Sequence, residues 1–134
     1  MGFVLMLHSI VRWVIVLAAV VGAARYVLVL TARASGGRLD RGLMSGYTGL
    51  MDLNALLGII YLIGSGIATA VWFPLPRVEH MVTNLVAVGV AHLFASRGRR
   101  AADDQGLARQ NLLGIVLSML LVVIAVAAIG GWSR

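Results

Sequence analysis

Four runs of apolar residues, each long enough to cross a bilayer, leave this chain few ways to fold. They cover about residues 3–31, 47–72, 78–96 and 107–132. A hydrocarbon core ~30 Å thick needs about 20 helical residues at a rise of about 1.5 Å each. Within that layer every backbone N–H and C=O must be bonded inside the protein, which leaves helices or a closed barrel, and runs of this length are helical. The expected fold is therefore all-α: a transmembrane four-helix bundle, up-down-up-down, forming a single domain over residues 1–134 with both termini on one face. The first run would make a helix roughly 42 Å long. No small-residue cleavage site follows it, so it is read as a retained helix rather than a signal peptide.

Composition agrees with a membrane class. The chain is 60% hydrophobic and 12% charged, against about 25% charged in a soluble domain. It has no cysteine, which removes disulfides, thiolate metal sites and thiol nucleophiles and leaves the redox compartment unreadable. The net charge of +6 comes from arginines concentrated in two loops, not from a nucleic-acid-binding patch. Arg33, Arg38 and Arg41, flanked by Arg25, follow the first run; Arg97, Arg99 and Arg100, with Arg109 nearby, follow the third. The other face has only Arg77 in its loop and Arg134 at the C-terminus, and there Trp13, Trp72 and Trp132 collect as an interfacial aromatic belt. The expected placement is a multi-pass protein of the bacterial inner membrane. Loops 32–46 and 97–108 are then cytoplasmic and both termini extracytoplasmic.

The stretch Arg77-Val78-Glu79-His80-Met81-Val82-Thr83-Asn84 opens the third run and holds the only glutamate in the chain. Ionisable groups at a membrane boundary cost several kcal/mol unless partnered. His8 and Arg12 lie at the corresponding end of the first run, one turn apart. Small and polar residues recur at helical spacing in every run: His8, Arg12, Ile15, Ala19 and Gly22; Asn54, Gly58, Tyr61 and Ser65; His80, Asn84, Ala87 and Ala91; Asn111, Gly114, Ser118 and Ala125. Such stripes mark the faces turned towards protein, because small residues let helix backbones approach.

The first and third runs point the same way, which sets His8 and His80 at similar depth on diagonal helices. Two inward imidazoles at one level suit haem b, whose iron takes neutral ring nitrogens at its axial positions. Arg12 and Glu79 then serve as hydrogen-bonding neighbours of the ligands. The competing reading is an Arg12–Glu79 ion pair with the histidines as its hydrogen-bond partners and no cofactor. A second cluster, Asp52, Asn54, His92 and Arg109 with Gln110 and Asn111, lies towards the arginine-rich loops. Helix capping and pairing of Asp52 with Arg25 or Arg109 account for it, and a quinone or proton site is the functional alternative. His92 is about 120° around its helix from His80, so the two do not share a face.

No haem-attachment cysteines, phosphate-binding glycine loop, zinc-protease histidine pair or hydrolase nucleophile elbow occurs. In size and span number the chain is similar to small multidrug transporters, but its first run carries His8 and Arg12 where those have an acidic residue. At Leu7-His8-Ser9-Ile10-Val11-Arg12-Trp13, Met51-Asp52-Leu53-Asn54-Ala55-Leu56-Leu57-Gly58 and Val78-Glu79-His80 it resembles a family of uncharacterised small bacterial four-span membrane proteins. That resemblance covers most of the chain and implies no activity. In gross layout the chain also looks like a minimal membrane b-type cytochrome, which implies haem on His8 and His80.

Two functions are thus expected. One is a non-enzymatic integral membrane subunit, an accessory component of a larger redox or energy-converting membrane complex or of a homo-oligomer. The other is a small b-type haem electron-transfer protein.

Overall fold

The structure, a computed structural model, describes residues 1–133. It contains four long helices, α1 (Gly2–Leu30), α2 (Arg38–Thr69), α3 (Leu75–Arg99) and α4 (Asp104–Ala128), and a short 3-10 turn, Gly131–Ser133. All four helices are long and apolar enough to cross a membrane. Each packs on its chain neighbours and α4 closes back onto α1, so α1 and α3 stand diagonally across the bundle. The all-α four-helix bundle expected from the hydropathy pattern is the observed architecture.

The helices do not stop where the apolar runs stop. α2 begins at Arg38 rather than Tyr47, and the first connection shrinks to 31–37. Asp40 explains this: its Oδ2 accepts the Gly37 amide at 2.8 Å, its Oδ1 accepts Arg25 Nε at 2.7 Å, and its carbonyl accepts the Tyr26 hydroxyl at 2.6 Å. A carboxylate in the first turn bonds free amides and faces the positive end of the helix dipole. The polar stretch 38–46 therefore winds as helix. At the other loop on this face, Asp103 Oδ1 caps the Gly106 amide at 2.7 Å, so α4 starts at Asp104 rather than Leu107. Between α2 and α3, Pro76 lies in the first turn of α3, where its missing N–H costs nothing.

Small side chains make the closest seam, that between α3 and α4. Ala87, Ala91, Ala95 and Gly98 are buried on α3, and Ala108, Asn111, Gly114, Ser118 and Ala125 on α4. A Cβ on Gly114 would lie 2.7 Å from Phe94 Cβ and 3.1 Å from Met44 Cε. Arg12, Ile15, Ala19 and Gly22 of the α1 stripe are buried as well. The opposite faces expose Leu17, Val20, Ile67 and Ile124 at more than 60% each, as helices facing lipid tails do, because lipid imposes no penalty on apolar surface.

The arginine-rich end is locked by polar bonds. Tyr47 and Ser118 share a hydroxyl hydrogen bond at 2.7 Å across the α2–α4 diagonal, and Gln105 Nε2 donates to the Val29 carbonyl at 2.6 Å. The end carrying the N-terminus is built differently: there the bundle opens.

Candidate cofactor cavity

At that open end the four helices enclose a cavity of about 670 Å³, within the usual range for small-molecule and cofactor sites. Most of its wall is apolar, with Ile15 from α1, Ala55 and Leu62 from α2, Leu85 and Val88 from α3, and Val122 and Val126 from α4. Into it project His8, Arg12, Asn54, Tyr61, Arg77, His80 and Asn84. All seven belong to the small and polar stripes or to the opening of the third run. The cavity is where those stripes leave space that large apolar side chains do not fill.

His8 and His80 face each other with ring centroids 6.3 Å apart and planes at 72°. Each ring is held by a backbone carbonyl of a neighbouring helix: His8 Nδ1 lies 3.0 Å from the Asn54 carbonyl on α2, and His80 Nδ1 2.9 Å from the Ala125 carbonyl on α4. A carbonyl oxygen only accepts, so both Nδ1 atoms carry a proton, and in the neutral rings both Nε2 atoms keep a lone pair. Asn84 Nδ2 donates to the His80 carbonyl at 2.7 Å and lies 3.4 Å from His80 Nε2, a contact too long to hold that nitrogen firmly.

An Nδ1–H donated to a backbone carbonyl is the arrangement that orients metal-binding imidazoles and makes Nε2 more basic. Two imidazoles sharing one ion at about 2 Å per metal–nitrogen bond place their centroids about 6 Å apart. Among the described residues no group of three or more metal-ligating side chains occurs. His8 and His80 could hold one ion between them only if a further group, such as a porphyrin, completed its ligand set. Asn54 adds a second sign of a ligand: its Oδ1 is buried without a hydrogen-bond partner, unlike the great majority of buried polar atoms.

Arginines flank the cavity on two sides. Arg12 is only 6% exposed; its Nη1 donates to the Gly131 carbonyl at 2.8 Å, and its guanidinium carbon lies 5.5 Å from the ring centroids of both Trp13 and Trp132. The 3-10 turn is thereby pinned onto α1. Arg77 donates to Ser65 Oγ at 3.0 Å and stacks on Tyr61 at 5.5 Å.

The Arg12–Glu79 ion pair is not formed. Glu79 is exposed at the head of α3, and the carboxylates paired among the described residues are Asp40, with Arg25, and Asp52, hydrogen-bonded to His92. The cause is helical phase: Glu79 precedes His80 by one residue, about 100° around the helix, and so points out when His80 points in. Glu79 is accordingly no part of the cavity. Pairing of Asp52 with Arg25 or Arg109 is likewise absent, because Arg25 is taken by Asp40 and Arg109 is exposed on α4.

The second cluster divides. Asp52 and His92 meet on the outer surface of α2 and α3, whereas Asn54 turns inward to the cavity. Sequence reasoning missed the carbonyl oxygens of Asn54 and Ala125 as the groups that orient the histidines. No side-chain pattern signals them, since every residue has a carbonyl. No known protein family, curated protein or solved structure matches the chain.

Proposed function

We propose that this chain is a small b-type haem protein of the membrane, passing single electrons, with His8 and His80 as axial ligands. The observation that carries the reading is the opposed histidine pair, each Nδ1–H given to a backbone carbonyl and each Nε2 left with its lone pair inside an apolar cavity. Haem would supply a one-electron couple, and the chain would supply axial nitrogens, an apolar slot and positive charge near the rim from Arg12 and Arg77. Such a carrier fits as an accessory subunit of a larger redox or energy-converting membrane complex, or as a homo-oligomer, and needs no catalytic group of its own.

The orientation proposed is that of the arginine asymmetry. The loops 31–37 and 100–103 face the cytoplasm of a bacterial inner membrane, and the cavity opens towards the outer leaflet. A second reading, a purely structural membrane subunit, is favoured by one observation: both ring protons are already satisfied by the protein. The bundle would then hold without a cofactor.

Expression with added haem, purification in detergent and a reduced-minus-oxidised spectrum separates the two. The haem reading expects a Soret band that shifts on reduction and is lost or altered in His8→Ala and in His80→Ala. A colourless protein, or a spectrum indifferent to both substitutions, would leave the structural subunit.

A further inference from the structure

The Asp52–His92 hydrogen bond lies where a structural polar pair has little use. His92 Nε2 is 2.8 Å from Asp52 Oδ1 and 3.1 Å from Oδ2, yet the two side chains are 47% and 50% exposed. Exposed Leu53, Leu56 and Leu93 surround them. At about 1.5 Å per residue, Asp52 is about 26 Å from the end of α2 and His92 about 26 Å from the start of α3. Both are thus at one level, just inside the far edge of a ~30 Å apolar layer. Ionisable side chains at membrane depth usually face the bundle interior; these face outward.

The chemistry of the pair is directional. A carboxylate that accepts Nε2–H leaves Nδ1 with its lone pair, a base poised to take a proton and a carboxylate poised to stabilise the imidazolium that results. What reaches it from the side is a molecule dissolved in lipid, with an apolar body and an O–H to give. The pair is also joined to the cavity. Asp52 is two residues before Asn54, whose carbonyl holds His8, and Met51 and Ala55 on either side of Asp52 line the cavity wall.

We propose that the Asp52–His92 pair binds the head group of a lipid-soluble hydroquinone and accepts its protons. The binding stands on the surface pair alone; the destination of the electron rests on the haem reading above. In the full step a hydroquinone O–H proton would move to His92 Nδ1, and the electron released with it would leave for a one-electron acceptor, the role that haem held by His8 and His80 would supply. Two such one-electron transfers, to two copies of the chain, would consume one hydroquinone and give one quinone and two protons.

Decylubiquinone and menadione, titrated calorimetrically against the purified full chain with and without haem, test the binding. Saturable binding of one or the other is expected, weaker by about tenfold or more in His92→Gln and in Asp52→Asn, a difference of about 1.4 kcal/mol. Both substituted side chains are half exposed, so folding should be retained and is checked by melting. Anaerobic mixing of decylubiquinol or menadiol with the ferric protein should then reduce two haems per quinol, at least tenfold more slowly in either variant, while dithionite reduces all three proteins to the same spectrum. No saturable binding by the unsubstituted chain, or binding unchanged in both variants, overturns the proposal. A colourless chain that binds either quinone in a His92-dependent way sinks the haem reading and leaves this site standing.

Discussion

Arg25 and Asp40 meet at 2.7 Å across the α1–α2 connection, with the Asp40 side chain almost wholly buried and the arginine about a quarter exposed. The same carboxylate caps α2 through the Gly37 amide, and Arg25 Nη2 reaches the Ser35 carbonyl at 2.6 Å. One side chain therefore sets both the start of α2 and the course of the loop before it.

Removing the cation strands the carboxylate. Arg25→Met should destabilise the bundle by about 2–3 kcal/mol, towards the low end for a broken buried pair because Arg25 is partly solvated. Unfolding in a denaturing detergent titration measures it. If Arg25→Met and Asp40→Leu show losses that simply add in the double variant, the two residues are not coupled.

Arg12 and Glu79 should behave as strangers. Arg12→Leu removes the Gly131 bond and the stacking on Trp13 and Trp132, at a cost of roughly 1–3 kcal/mol. Glu79→Gln, at an exposed position, should change stability by less than about 0.5 kcal/mol. The double variant should equal the sum; a coupling above about 1 kcal/mol would restore the ion pair.

Gly114 and Gly89 predict opposite outcomes for one chemical change. Alanine at Gly114 pushes its methyl into Phe94 and Met44, whereas at Gly89 it meets nothing within 4 Å. The expected cost at Gly114 is about 1–3 kcal/mol, against no loss or a slight gain from helix propensity at Gly89. Equal melting temperatures for Gly114→Ala and Gly89→Ala would mean that the α3–α4 seam has room for a methyl group.

Single cysteines report orientation without competing thiols, since the chain has none. A Cβ at Gly2 or at Gly37 meets no neighbour within 4 Å, so neither substitution should disturb the fold. In intact cells an impermeant thiol reagent should label Gly2→Cys and spare Gly37→Cys until the membrane is opened. The reverse pattern inverts the topology and places the cavity in the cytoplasmic leaflet.

Hydropathy alone determined the number of helices, their order and which stripes face inward, because lipid leaves no other way to satisfy the backbone and makes only small or polar faces worth burying. His8, Arg12, Asn54 and His80 could be singled out for the same reason: their polarity is expensive there. Helix ends were not legible, since capping by Asp40 and Asp103 depends on hydrogen bonds that hydropathy does not register. Nor was the pairing of charges. Whether Glu79 meets Arg12, or Asp52 meets His92, turns on helical phase and on the relative height of two helices, quantities of a few ångströms fixed only when the four helices pack. The orientation of His8 and His80 was decided last of all, by the carbonyls of Asn54 and Ala125, chemical groups common to every residue and made specific only by where the fold carries them.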